Sequence, residues 1–85
     1  MSTEFPLPNG MKMTIRTLRP LDPIDGGQWD ADVDGELLFR VTASGRSSLV
    51  GKDADDILLA VAECVKDHLA RAEWQARIRH SIDCP

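Results

Sequence analysis

A segment of alternating residues that ends in Asp-Gly constrains the fold of this chain most strongly. Three apolar residues alternate with three acidic ones, namely Trp29, Ala31 and Val33 with Asp30, Asp32 and Asp34. This period of two is typical of a β-strand with one apolar face. Asp34 and Gly35 form a pair suited to a tight hairpin turn. Because residues 37–42 are again rich in β-forming types, the sequence predicts a β-hairpin here.

Further strands are expected on both sides of this hairpin. Residues 11–19 alternate between apolar and polar types, which predicts a strand before it. Residues 47–50, after a turn that contains Gly45, are expected to form a short strand after it. Residues 1–10 contain two prolines and an Asn-Gly pair, so we expect a flexible N-terminal arm.

A long helix is predicted after the strands. Asp53 suits the N-cap position, and Asp56 lies three residues later, where its carboxylate can reach back to the cap. From residue 54 to about residue 80 the chain has neither Gly nor Pro, and apolar residues recur at spacings of three and four. We therefore expect an α+β fold, in which an antiparallel sheet of three to four strands is followed by one long amphipathic helix packed on one face. A single domain would span residues 11–80, with a C-terminal tail over 81–85.

The predicted helix is longer than the predicted sheet. About 25 helical residues extend for about 37 Å, whereas a six-residue strand extends for about 20 Å. The second half of the helix, with Trp74 and Ile78, should therefore overhang the sheet. These two residues are candidates for self-association into a homodimer.

The charge of the chain is unevenly distributed. The net charge is −4, but residues 22–56 contain nine acidic residues against only Arg40, Arg46 and Lys52. There is no apolar run of about 18 residues, so no membrane span is expected, and the first residues lack the features of a signal peptide. A cytoplasmic protein with free thiols at Cys64 and Cys84 is the expectation.

The alternating aspartates are the main candidate for a binding surface. Carboxylates at every second strand position stand about 6.7 Å apart and repel one another, so they do not serve stability. We expect these acids to bind a protein partner with a basic surface, through Asp30, Asp32, Asp34 and Glu36. The alternative is a solvated face whose charge protects an edge strand from aggregation. A calcium loop is disfavoured, because the twelfth position from Asp30 is Val41 rather than Glu.

Other chemistry has little support in the sequence. Cys64 with His68 and His80 with Cys84 are pairs of possible zinc ligands, but an unbroken helix would hold the two histidines about 18 Å apart. No base is positioned to activate the serines near Gly45, so we expect no enzyme activity, no metal and no cofactor. The basic residues near position 77 are offset by neighbouring acids, so direct nucleic-acid binding is not expected.

Residues 51–60, Gly-Lys-Asp-Ala-Asp-Asp-Ile-Leu-Leu-Ala, resemble a pattern of short bacterial and phage domains in which a strand meander precedes Gly-x-Asp and one amphipathic helix. The helix opening is also similar to that of HicB-type antitoxins, although the chain lacks a recognisable DNA-binding appendage. In size and charge the chain is similar to small acidic phage proteins that inhibit bacterial defence systems, including anti-CRISPR proteins. This resemblance implies a non-catalytic inhibitor of a nucleic-acid-handling complex. A self-associating adaptor domain and an antitoxin or immunity protein are the alternatives.

Overall fold

An antiparallel meander forms the first half of the protein. The computed structural model describes residues 2–8, 10–71 and 79–84. The elements along the chain are β1 (Ser2–Pro6), β2 (Lys12–Asp22), β3 (Gly26–Val33), β4 (Glu36–Ala43), α1 (Ala54–Leu69) and β5 (His80–Cys84). Within the described residues, the strands form one five-stranded sheet in the order β1-β2-β3-β4-β5. The predicted α+β class is confirmed.

The β3–β4 hairpin follows the sequence prediction. Asp34 and Gly35 both have positive φ, 50° and 85°, as a two-residue turn of this kind requires. Val33 pairs with Glu36 next to the turn. One residue further along, the register shifts, so that Ala31 lies opposite Phe39. This β-bulge places Phe39 opposite Ala31, and Leu38 and Phe39 are both buried in the core.

The N-terminal segment differs from the expected flexible arm. Ser2–Pro6 forms β1 and pairs with β2, with Phe5 opposite Met13. The connection is tight, because the N–H of Leu7 donates to the carbonyl oxygen of Met11 at 2.9 Å. Pro6 is compatible with this strand because β1 is at the edge of the sheet.

The helix α1 ends at Leu69, and the chain does not continue as one helix to residue 80 as predicted. α1 has 16 residues, and the chain leaves it through a turn in which the N–H of Arg71 donates to the carbonyl oxygen of His68. His80–Cys84, expected to be the end of the helix and a tail, instead forms β5, parallel to β4. The sheet is therefore mixed and larger than the predicted three to four antiparallel strands. Trp74 and Ile78, the self-association candidates, lie outside the described residues.

The predicted strand over residues 47–50 is also wrong. The segment between β4 and α1 consists of successive turns, closed by bonds from the N–H of Ser47 to the oxygen of Ser44 and from the N–H of Val50 to the oxygen of Ser47. The hydroxyl of Ser47 accepts a further bond from the N–H of Leu49. Leu49 is buried in the core and anchors this loop.

The core lies between α1 and one face of the sheet. Val61, Ala62 and Val65 are the buried residues of α1. They belong to the same core cluster as the large sheet residues Trp29 and Phe39, which are almost completely buried. Within the described part of the chain, no helix has the length and apolar character that crossing a membrane requires.

Candidate partner-binding surfaces

Asp30 is buried, which corrects the expectation that it belongs to an exposed row of partner-binding acids. Only 4% of Asp30 is exposed. Arg40 donates from Nε to Asp30 Oδ1 at 3.0 Å and from Nη2 to Oδ2 at 3.4 Å. Arg16 lies on the other side, with Nη2 at 3.5 Å from Oδ2. The two arginines, on β2 and β4, enclose a carboxylate on β3, and the hydrogen bond that Arg40 donates to Asp30 raises the pKa of Arg40.

Asp32 and Asp34 are partly committed to contacts within the protein. Oδ1 of Asp32 is 3.7 Å from Nη2 of Arg16 and has no hydrogen-bond partner among the described residues. Oδ1 of Asp34 accepts the N–H of Lys12 at 3.1 Å, and the N–H of Asp34 donates to the oxygen of Lys12 at 2.9 Å. Asp34 thus fastens the β3–β4 turn to the start of β2.

Glu36 does not extend the aspartate row. It pairs with Val33, and residues paired across a hairpin point to the same face of a sheet. Val33 is buried in the core cluster, so Glu36 lies on the side opposite to Asp32. The four predicted site residues are therefore divided among a buried ion cluster, a turn and two faces.

The sheet face opposite the core is mostly polar, with Leu37, the partner of Asp32, as an apolar exception. We use the term polar face for Thr14, Arg16, Gln28, Asp30, Asp32, Arg40, Thr42, Ser81 and Asp83. Its central row runs across the strands from Arg16 through Asp30 to Arg40. In the described residues Phe5, Trp29 and Phe39 all belong to the core side, so this face offers no aromatic ring on which nucleic-acid bases could stack.

The β2–β3 turn exposes a large apolar side chain that the sequence analysis missed. Ile24 is 88% exposed at the tip of this turn. Oδ1 of Asp22 accepts the N–H of Ile24 at 2.6 Å and that of Asp25 at 3.1 Å. These two bonds lower the pKa of Asp22, because they favour its ionised form. An isoleucine between turn-forming Pro23 and Asp25-Gly26 was the signal available in the sequence.

Two glycines allow the backbone of the next loop to pack closely against the same turn. A Cβ on Gly45 would come within 2.2 Å of the carbonyl oxygen of Pro23. A Cβ on Gly26 would come equally close to the carbonyl oxygen of Ala43, and Gly26 also has a φ of 75°. The loop that leaves β4 therefore packs directly against the backbone beneath Ile24. The turn is held both by this contact and by the Asp22 carboxylate.

Acidic residues occur in the β2–β3 turn and, further along the chain, at the start of α1. Asp22 and Asp25 flank Ile24, and the loop packed against the turn leads into the first turn of α1. That helix start adds three exposed carboxylates, those of Asp53, Asp55 and Asp56. The loop itself contributes the bases Arg46 and Lys52. The turn, the loop and the helix start together contain five acidic residues and two basic ones.

Cys64 and Cys84 are close together, contrary to the expectation from an unbroken helix. Because the chain returns as β5, the Sγ of Cys84 lies 2.7 Å from the Sγ of Cys64. Burial, followed by the hydrogen bond to Cys64, raises the pKa of Cys84 to about 12. His68 and His80 both lie against the ring of Phe39. Among the described residues, no group of three or more potential ligands could hold a metal ion.

A small cleft at the ends of β4 and β5 has no arrangement for catalysis among its described lining residues. Its volume is about 390 Å³, and it is lined by Thr42, Ala43, Ser44, Asp83 and Cys84. The hydroxyl of Thr42 donates to the carboxylate of Asp83. The hydroxyl of Ser44 accepts the N–H of Arg46. The serine is occupied with its own turn, and no histidine lines the cleft to activate it.

Comparison of the chain with protein-family models, with curated proteins and with solved structures finds no match.

Proposed function

We propose that this protein acts by contact, as a non-catalytic module that binds a partner protein through its β2–β3 turn. Ile24 is the apolar anchor of this surface, and the partner offers an apolar pocket rimmed by basic groups. The observation that carries the proposal is the 88% exposure of Ile24 on a turn whose backbone is fixed.

The energetics of the turn favour recognition. Burying an isoleucine side chain contributes about 1.5–3 kcal/mol. Binding surfaces commonly depend on a few such anchors surrounded by polar residues that exclude water. The bonds from Asp22 and the packing of Gly45 keep the turn in one conformation, which reduces the entropy lost on binding.

The charge around Ile24 supports a basic partner. Asp22 and Asp25 flank the anchor, and Asp53, at the start of α1, follows the loop that packs beneath it. Carboxylates at the rim of an interface increase the association rate with a basic surface and disfavour acidic partners. Proteins that handle nucleic acid expose such surfaces. We propose inhibition of a complex of this kind as the biological role.

This proposal moves the binding surface away from the aspartates of β3. Asp30 is enclosed by two arginines and Asp34 binds the backbone of Lys12, so both have roles within the fold. Asp30, which two arginines already neutralise, contributes little attraction for a second basic surface.

The test uses the protein as bait in a bacterial lysate, followed by affinity measurement with the purified partner. The variant is Ile24→Asp, and the matched control is Leu59→Asp, since Leu59 is 51% exposed on α1. We expect Ile24→Asp to weaken binding about 10- to 100-fold, as the loss of a buried isoleucine implies. The control should bind like the unmodified protein, and added salt should weaken binding in both.

Circular dichroism must show that both variants are folded. Equal affinity of Ile24→Asp and the unmodified protein for the purified partner would refute the proposal. If Leu59→Asp abolishes binding of the partner and Ile24→Asp does not, the contact lies on α1 instead.

A further inference from the structure

Cys64 and Cys84 face each other across two elements that are distant in the sequence. Cys64 lies in the third turn of α1, and Cys84 is the final residue of β5. Their Sγ atoms are 2.7 Å apart, and both residues are free thiols in this structure. Cys84 is buried, whereas Cys64 is partly exposed.

The distance between the sulfurs distinguishes a disulfide from a metal site. A disulfide bond is about 2.0 Å long. Two thiolates bound to one tetrahedral zinc ion at about 2.3 Å each would stand about 3.8 Å apart. At 2.7 Å the two sulfurs are in direct contact, so formation of a disulfide requires only a small further approach.

We propose that Cys64 and Cys84 form a reversible intramolecular disulfide, which fastens β5 to α1 when the chain meets a low-molecular-weight disulfide of the glutathione class. This inference is independent of the binding role of Ile24, because it concerns a different part of the molecule.

The reaction is a pair of thiol–disulfide exchanges. The thiolate of Cys64, the more exposed of the two, attacks one sulfur of oxidised glutathione and releases one glutathione thiolate. The thiolate of Cys84 then attacks the Sγ of Cys64 and displaces the second glutathione. Two protein thiols are oxidised, one glutathione disulfide is reduced to two glutathione thiols, and the two protons leave with these products.

The position of β5 gives the bond a structural consequence. β5 lies at an edge of the sheet, where β4 is its one neighbouring strand among the residues that the structure describes. Like any edge strand, it can detach with less disruption of the sheet than an internal strand. A bond from Cys84 to α1 removes this freedom, since α1 is anchored in the core by Val61 and Val65.

The test equilibrates the full chain in mixtures of reduced and oxidised glutathione and measures intact mass and free thiols. The unmodified protein should lose two hydrogens and remain a monomer. The intramolecular disulfide should exceed the mixed disulfide with glutathione by roughly tenfold, because the second thiol is held beside the first. In Cys84→Ser the exchange stops after its first step, so this variant should retain one glutathione.

Hydrogen exchange provides a second measurement. Oxidation should slow exchange in the amides of β5 in the unmodified protein and leave those of Cys64→Ser unchanged. The inference is overturned if the unmodified protein carries two glutathiones, forms disulfide-linked dimers or keeps both thiols free. Tight zinc binding that requires both cysteines would overturn it as well.

Discussion

The indole of Trp29 occupies the space into which a side chain at Gly27 would project. The two residues lie on the same face of β3, and a Cβ on Gly27 would be 2.6 Å from Cη2 of Trp29 and 3.0 Å from Cα of Leu21. Neither neighbour can move easily, because the tryptophan is almost completely buried and the other contact is backbone. Gly27 is therefore part of the packing of the core.

Replacing Gly27 with alanine should destabilise the protein. Overpacking of this kind costs about 1–3 kcal/mol in the free energy of unfolding. Urea denaturation followed by circular dichroism measures the loss. The control is Gly51→Asn, because a Cβ there meets nothing within 4 Å and asparagine tolerates the positive φ. Equal stability of Gly27→Ala and the unmodified protein would contradict the packing described here.

Replacing Arg40 with methionine should also destabilise the protein. The change leaves the buried carboxylate of Asp30 with Arg16 as its remaining cation, at 3.5 Å. A buried charge without adequate partners is costly, and we expect a loss of about 2–3 kcal/mol. Arg46→Met is the control, since Arg46 is an exposed loop residue, and should change stability by less than about 0.5 kcal/mol. Equal chemical denaturation midpoints for the two variants would show that Asp30 does not need Arg40.

The turn beneath Ile24 should loosen when the carboxylate of Asp22 is lost. The lowered pKa means that the ionised form keeps its two backbone bonds, and that these are lost only as the pH falls through the pKa of the folded state. NMR relaxation of the Ile24 amide should thus show new motion in Asp22→Ala at neutral pH. In the unmodified protein the same motion should appear only below the ordinary aspartate value of 3.8.

Asp22→Asn is the control for the preceding prediction. Its side-chain oxygen can still accept both N–H groups, so Ile24 should remain ordered, and independently of pH. Motion of Ile24 that is the same in all three proteins at neutral pH would mean that Gly45 and Gly26, rather than Asp22, determine the conformation of the turn.

Alkaline pH should destabilise the reduced protein through Cys84. Its pKa is about 12 in the folded protein, against 9.0 for the unperturbed thiol. The unfolded chain therefore loses this proton first, and the stabilisation present below pH 9.0 is lost progressively up to about pH 12. We expect a loss of about 2 kcal/mol near the middle of this range. Urea titrations across the range should show a shallower fall for Cys84→Ala, and parallel curves would contradict the assignment.

Oxidation of the cysteine pair should stabilise the fold. The bond would close a loop between residues 20 positions apart. The entropy removed from the unfolded chain corresponds to about 3 kcal/mol. The melting temperature of the oxidised protein should therefore exceed that of the reduced protein, with Cys64→Ser showing no such difference. An oxidised form that melts at a lower temperature would indicate that the bond distorts β5.

Local signals in the sequence account for the elements that were predicted. Asp34 and Gly35 determine a turn by themselves, since both positive φ values are properties of these two residues. Asp53 likewise marks the start of α1 as its N-cap residue, although its side chain does not form the capping hydrogen bond that the sequence predicts. Such features depend on a few neighbouring residues and can be read without knowledge of the rest of the fold.

Strand β5 depends instead on long-range contacts. Its alternation of buried Ile82 and Cys84 with exposed Ser81 and Asp83 covers too few residues to distinguish a strand from the end of a helix. It forms a strand because it pairs with β4. The paired residues are far apart in the sequence: Phe39 and His80 are separated by more than 40 positions. The proximity of the two cysteines follows from that pairing, so it could not be predicted from the sequence either.

The ion cluster around Asp30 could not be predicted from the sequence, because the register between β3 and β4 shifts by one residue. Counting back from the two-residue turn places Asp30 opposite Phe39. The bulge between Ala31 and Asp32 shifts the pairing by one, so that Arg40 lies opposite Asp30 instead. A pattern of alternation shows which residues share a face, but it does not show what stands across from them.

The parallel pairing of β5 with β4 also imposes an order on the folding of this protein during its synthesis. The strands of the meander pair with their neighbours along the chain, so a growing polypeptide can assemble them as they leave the ribosome. The edge of β4 then remains unpaired until α1 has been synthesised and packs on the core. During that interval Phe39 and Val41 lack the strand that later completes their sheet. This is the stage at which a nascent chain would be most exposed to aggregation and to chaperones.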